Sequence, residues 1–513
     1  MTTNDPARRP NDIVLLQASE LSEAIHEKRV SCEEVMNAYL DHIEALNPTV
    51  NAIVTMRPRE ELLREAAEKD RLLAEGRDLG WMHGFPHAVK DTTDAAGFRT
   101  TLGFFRDEFE LPPAQSDSLH VARIRAAGAI FIGKTNVPEF GLGSHTYNNV
   151  FGATRNAYHQ GRSAGGSSGG AAVSVALRML PVADGSDFMG SLRNPTAWNN
   201  VLGLRPSFGR VPTAGSDVFV QQGAVSGPIA RTATDLGLLL GTMSGYDPRA
   251  PLSLEPGDAL SSGPDRDFTG VRVAWLGDLG GYLPMEPGVL GLCTSALDVF
   301  ERIGMTVESR PGLPTAPGFD GNRDLWPLWL TFRHWLAGSQ LHPLYRNPVT
   351  RAALKPEAVY EVEGLIKGVD GRPPIGALDV FDASVKRTAM YHAFLTLFDT
   401  YDFLVLPSAQ VFPFEVEADW PKAVNGTPMS SYHRWMEVTT LATLLGVPAV
   451  SLPAGFSEDG LPMGVQVLAR SRADLDLLQI AHQWDLAVPW GSHVLPPPVK
   501  QRSGPGDRPT GEI

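Results

Sequence analysis

Residues 163–170 read SAGGSSGG, and the chain continues AAVSVALRML with no charge before Arg178. A helix of Gly, Ala, Ser and Val offers water no polar face, so this one has to be wrapped by other elements. The four glycines at its mouth permit tight turns and close backbone approach that other residues resist. Two adjacent serines, Ser167 and Ser168, therefore sit at a buried junction. They can cradle a phosphate, supply a nucleophile or only shape a turn, and no histidine lies in the stretch to act as a base.

The surroundings of this segment alternate between two periodicities. Ser31 with Glu34 makes a capping box, and Val35, Tyr39, Ile43 and Leu46 then share one helical face up to an expected stop at Asn47-Pro48. A charged helix is expected over 58–75, a short buried strand over 85–91 and a helix over 116–127. Gly128 would cap that helix, and a strand over 129–132 would follow it. Such alternation continues to about residue 240 and argues for an α/β layered fold. Residues 245–270, rich in Pro, Gly, Asp and Ser, mark a change. Beyond them the pattern predicts a strand over 271–275, a helix near 287–303 and an irregular aromatic region over 315–375. Strands return over Phe403–Pro407, 447–453 and 463–468. The last stretch, 496–513, reads as a disordered Pro/Gly-rich tail.

Charge narrows the partners. Lys and Arg number 44 against 58 Asp and Glu, a net charge of −14. A negative surface repels phosphate backbones and anionic lipid, which argues against nucleic acid and membrane partners. Only Cys32 and Cys293 are present, and the first residues, MTTNDPARRPND, hold no apolar core. Both features predict a cytoplasmic protein. The most apolar long stretch, 439–456, is interrupted by prolines and reads as core.

Three readings compete for the glycine-rich chemistry. Residues 128–135, GAIFIGKT, satisfy the phosphate-loop spacing, yet AIFI looks like the strand itself and Val137-Pro138 prevents a following helix. Gly165-Gly166-Ser167-Ser168-Gly169 fits the nucleophile elbow of an α/β-hydrolase esterase with Ser167 attacking, although HQGRSA before it makes no strand. The third reading joins Lys90 in AVKD, Ser167, and Ser191 in SDFMGSLRNP. A serine without a histidine can use lysine as its base. An ordinary lysine is neutral in only roughly one molecule in 2,500 at pH 7, but burial disfavours its charge. Lys90 ends the apolar run FPHAV and suits that demand. Asp91 would oppose it only if the two side chains met.

At this point the residues resemble a family. VKD, GAIFIGKTNVPEFG, NNVFGATRN, GLRPSFGRV, GPIARTATD and GVPAVSLPAGFSEDGLPMGVQV run in the order of the amidase signature enzymes over most of 18–480. The region 245–400 is the least matched. The resemblance implies one large domain over 12–495, with a central mixed twisted β-sheet flanked by helices on both faces and a substrate-pocket region in 245–400. It implies Ser191 as nucleophile and Ser167, after a cis peptide bond, relaying protons to Lys90. The backbone N–H groups of Phe188, Met189, Gly190 and Ser191 would form the oxyanion hole, and Asp187 and Arg193 would hold that loop. Phe140, Gly141, Leu142 and Gly143 would line the acyl channel.

One departure concerns the nucleophile loop. The family usually places two glycines before the nucleophile, whereas this chain has Met189-Gly190. Met189 keeps its N–H in the hole only if the backbone avoids positive φ, and its side chain is a candidate pocket wall. Trp326 and Trp329 are candidates for an aromatic substrate pocket, with core packing as the plainer alternative. No metal or cofactor is implied. The expected activity is hydrolysis of amide or carbamate C–N bonds in small hydrophobic or aryl substrates, with esters as a side activity. The alternative from the same family is the glutaminase subunit of a tRNA-dependent amidotransferase, against which DFMGS weighs. A homodimer is compatible with this reading.

Overall fold

The computed structural model describes residues 10–220, 222–255, 266–488 and 494–503. An eight-stranded mixed sheet forms its centre, in the order Thr306–Ser309, Arg272–Trp275, Phe403–Pro407, Pro462–Leu468, Ala449–Phe456, Leu202–Arg205, Val225–Ala230, Ala183–Asp187. The first two pairings are parallel and the other five antiparallel. Eight strands drawn from residues 183–468 thus share one sheet, with helices packed around it, as expected for the α/β fold, while Ala423–Val424 and Thr427–Pro428 pair only with each other. Phe403–Pro407 and Pro462–Leu468 are buried at every position, which explains their continuous rather than alternating apolar pattern. A separate three-stranded sheet pairs Ile130–Thr135 with Ile53–Val54 on one side and with Pro86–Lys90 on the other.

The SAGGSSGG segment leads into the helix Gly169–Ala176, all eight residues of which are buried. Gly170 shows why the glycines are needed, because a Cβ there would collide with the backbone of Asn136 and Ala52. Among the described residues no helix is long and apolar enough to cross a membrane, and the stretch 439–456 lies in the core.

Four local expectations need correction. The helix expected to stop at Asn47-Pro48 runs over Cys32–Val50. Pro48 sits in its last turn, where the carbonyl it leaves free belongs to the exposed Glu44 and can bond to water. Asn51 then ends the helix in the left-handed conformation while Asn47 Oδ1 accepts the N–H groups of Ala52 and Ile53, both at 2.9 Å. The 287–303 helix is two short ones, Val289–Ser295 and Asp298–Arg302. The aromatic region is not irregular. It forms the 25-residue helix Asn322–Arg346, followed by Pro348–Ala353 and Pro356–Ile366. Pro327 and Pro343 fall near its two ends, and a buried run that includes Leu325, Trp326, Trp329 and Phe332 holds it in place. Finally, part of the expected tail is the helix Pro497–Ser503, while 504–513 lie outside the described residues.

Candidate active site

Lys90 is the last residue of a strand buried throughout. The strand ends against the edge strand Ala183–Asp187, where the Lys90 N–H approaches both carboxylate oxygens of Asp184 at 3.3 Å. The side chain is fully buried. Its Nζ donates to Ser168 Oγ at 2.8 Å, to Ser167 Oγ and Ser186 Oγ at 2.9 Å each, and to the Ser186 carbonyl at 3.4 Å. Burial pushes this amine down to about 7, against the opposing pull of the Asp184 and Asp187 charges. Asp91 turns the other way. Its carboxylate accepts the Thr101 N–H at 3.1 Å and the Thr101 hydroxyl, and lies 4.0 Å from Lys134 Nζ.

The Gly166–Ser167 peptide bond is cis. Gly165 precedes it at φ +74, and a Cβ there would lie 2.7 Å from Asn194 Oδ1 and 2.9 Å from Pro195 Cα. Ser168 stands at the start of the Gly169–Ala176 helix without capping it. Its hydroxyl instead serves Lys90 and the backbone of Ser186. The residues before Ser167 carry only isolated bridges at Arg162 and Ser163, so no strand delivers this serine as a nucleophile elbow requires. Nor does GAIFIGKT make a phosphate loop. Its Gly-Lys-Thr lies inside the strand Ile130–Thr135, and Lys134 Nζ donates to the Thr93 carbonyl.

Ser191 follows the edge strand on a loop organised by Asp187. Asp187 Oδ1 accepts Gly190 N–H at 3.0 Å, Arg193 Nη2 at 3.0 Å and Arg205 Nη1 at 3.2 Å. Oδ2 accepts Leu192 N–H at 3.1 Å and Arg193 Nε at 3.0 Å. Burial alone would raise this carboxyl, but Arg193 and Arg205 hold it well below the usual carboxylate range. The Gly190 N–H is thereby committed to Asp187. Those of Phe188, Met189 and Ser191 have no hydrogen-bond partner among the described residues. Gly190 adopts φ +86, and a Cβ there would come within 2.7 Å of Thr439. Met189 is outside the left-handed region, so the loop tolerates a side chain at the first of the two positions but not at the second.

A cavity of about 620 Å³ opens onto Ser167, Ser186 and Ser191. Phe140, Gly141, Leu142 and Phe188 line it, but Gly143 does not. A Cβ on Gly143 would face the Tyr432 ring at 3.4 Å. Met189 is also absent from the wall, being packed into the core at 3% exposure. Trp326 and Trp329 do not line this cavity either. Trp326 packs against His433 with ring centroids 5.0 Å apart, and Trp329 is fully buried behind Phe188 at 5.4 Å. The same helix reaches the cavity through Arg333, Ala337, Gln340, Leu341 and Leu344. Their spacing is a single helical face, a signal that an irregular reading of 315–375 hides. Sequence reasoning also missed Asp184 and Ser186, whose neighbourhood with Lys90 is set by strand placement alone.

Comparison with known proteins gives the family and the fold. A family model described as Amidase matches residues 34–316 and 377–478. An acylamidase from Rhodococcus erythropolis is 34% identical over 480 residues, covering 93% of this chain and 96% of that one. One chain of the glutamyl-tRNA(Gln) amidotransferase from Thermosynechococcus vestitus is 32% identical over 500 residues, covering 92% and 98%. The crystal structure of a bacterial aryl acylamidase superposes with a TM-score of 0.85 at 27% identity, covering 97% of this chain and all of that one.

Proposed function

The chain belongs to the amidase signature family, and from that premise we propose that it hydrolyses carboxylic amides through an acyl-enzyme on Ser191, with Ser167 and Lys90 as proton relay. The observation that carries the reading is the buried Lys90 Nζ at 2.9 Å from Ser167 Oγ, on the wall of a cavity that also exposes Ser191. Neutral Lys90 accepts the Ser167 proton as Ser167 takes the proton of Ser191, whose Oγ bonds to the substrate carbonyl carbon. The negative charge moves to the carbonyl oxygen, where the N–H groups of Phe188, Met189 and Ser191 are the available donors. Collapse of the tetrahedral adduct breaks the C–N bond, and the proton held by Lys90 returns through Ser167 to the leaving nitrogen. Water then replaces the amine and releases the acid by the same relay in reverse.

The cavity wall of Phe140, Leu142, Phe188, Leu341 and Leu344 favours a substrate with an apolar arm. Carbamates and esters pass through the same kind of oxyanion, so a urethane is the nearest variant substrate. The deciding assay is release of 4-nitroaniline from a matched acyl anilide and alkyl carbamate, without added metal or cofactor, with Ser191→Ala as control. Faster anilide cleavage supports the amidase, and faster carbamate cleavage a urethanase. Loss of neither activity in folded Ser191→Ala overturns the assignment. The similarity to a chain of the glutamyl-tRNA(Gln) amidotransferase supports a second reading, a glutaminase component of a larger complex. That reading requires partner chains to co-purify with the natively expressed protein.

A further inference from the structure

Arg333 is the one side chain of the Asn322–Arg346 helix that brings a charge to the cavity wall. It is 4% exposed. Its Nε donates to Glu361 Oε1 at 3.0 Å and its Nη2 to the Tyr432 hydroxyl at 2.7 Å. Tyr432 in turn donates to Glu361 Oε1 at 2.5 Å, and His334 Nδ1 lies 2.9 Å from Glu361 Oε2. The guanidinium also lies over the Phe188 ring, 5.1 Å from its centroid. Nη1 has no hydrogen-bond partner among the described residues. Nη1 is not among the fully buried polar atoms that lack a partner, so it keeps an open face where Arg333 borders the cavity. Here the rest of the group is fixed on three sides while the residue borders the cavity.

The framework holding Arg333 is closely packed. Its helix crosses Pro356–Ile366 at two glycines: a Cβ on Gly338 would lie 2.6 Å from the Glu361 carbonyl, and one on Gly364 2.5 Å from His334 Nδ1. Leu142, Ala337, Leu341 and Tyr432 share one hydrophobic cluster, and Gly141, beside Leu142, is 3.4 Å from Ser167 Oγ measured to its would-be Cβ. An apolar wall therefore runs from the reacting serines toward Arg333.

We propose that Arg333 Nη1 is a specificity subsite that takes a neutral oxygen acceptor, such as a ketone, amide or ether oxygen, on the substrate arm lying along this wall. The proposal deepens the hydrolase reading and rests on it. A neutral acceptor is favoured because Glu361 already balances the guanidinium charge, and because the cavity's other charged lining residues, Asp94 and Asp217, are both acidic. A carboxylate on the substrate would meet repulsion with no net cation to offset it. The residue lies within 317–376, the stretch between the two segments matched by the family model.

The test uses the full-length protein and pairs of linear amides with an oxo group at successive carbons of the acyl or the amine arm. Each is compared with its methylene parent and with an ω-carboxylate of the same length, by kcat/KM from amine release. A charge-assisted hydrogen bond predicts that one oxo position is preferred by about 10- to 100-fold. Arg333→Lys keeps a cation beside Glu361 but lacks the forked second nitrogen, and should bring that preference to within about threefold of unity. Hydrolysis of parents and oxo amides at equal kcat/KM overturns the subsite alone. A preferred carboxylate overturns its neutrality, and full preference retained in Arg333→Lys overturns the role of Nη1. Hydrolysis of no amide in the series overturns the hydrolase reading and the subsite together.

Discussion

The relay can work at neutral pH only if Lys90 gives up its proton there, and that requirement sets a measurable limb. The fall from 10.5 to about 7 corresponds to roughly 5 kcal/mol against the ammonium form. At pH 7 about half the molecules then hold neutral Lys90, against roughly one in 2,500 for an ordinary lysine, a gain of about 1,000-fold in competent enzyme. The neutral amine is the active form, so activity is present above the Lys90 pKa and lost as pH falls through it. The expected result for an acyl 4-nitroanilide is a kcat/KM that is level above about pH 8 and falls about tenfold per pH unit well below 7, since this ratio reports the free enzyme. Asp184 supplies the first perturbation. Its charge opposes the loss of the Lys90 proton, so Asp184→Asn should move the limb to lower pH while its remaining oxygen still accepts the Lys90 N–H. A profile flat from pH 5 to 9, or a limb in Asp184→Asn displaced to higher pH, refutes the assignment of Lys90 as base.

Three further outcomes follow from the same geometry. Ser191→Ala and Lys90→Ala should each leave a folded protein, by circular dichroism and melting, with activity reduced by at least about 1,000-fold; full activity in either sinks the triad. Met189→Ala removes a side chain packed in the core rather than in the cavity wall, so denaturant unfolding should show a loss of about 2–5 kcal/mol with little change in substrate selectivity. Gly165→Ala should be poorly folded or inactive, because its left-handed φ and the 2.7 Å approach to Asn194 Oδ1 leave no room for a methyl group; a native melting temperature with native kcat/KM would count against that.

Much of this was legible in the sequence where one local signal sufficed. The run FPHAVKD identified a buried strand because apolar residues without alternation belong to strands covered on both faces. Lys90 at its end is buried for the same reason. The glycines of SAGGSSGG announced a crowded junction, although nothing in them revealed that Ser168 serves Lys90 rather than capping its helix. Asp184 and Ser186 were invisible because their partner lies about 95 residues away, across two different sheets. Pro327 and Pro343 masked the Asn322–Arg346 helix by suggesting breaks that tertiary packing overrides. The pocket was misassigned as a consequence. Once 322–346 is a helix, its tryptophans fall toward the core and Arg333, Ala337, Leu341 and Leu344 toward the cavity.

That division has a functional consequence. Lys90, Ser167, Asp187 and Ser191 all lie in the part of the chain matched by the family model, 34–316, and they are tied to one another through an edge strand, a buried helix and a single carboxylate hub. Little can change there without moving the reacting atoms, because Gly165, Gly170 and Gly190 are already at the limit of close approach. The wall contributed by 322–346 faces a different constraint. It is anchored behind the cavity by the Arg333–Glu361–Tyr432 bonds, but its cavity-facing side chains touch no catalytic hydrogen bond. Substitutions at Ala337, Leu341 or Leu344 can therefore reshape the substrate arm's surroundings while leaving the relay in place. Leu341→Ala, for example, should alter the ranking among acyl chain lengths and leave the pH limb of kcat/KM where it was; a displaced limb would mean that the wall and the relay are coupled after all.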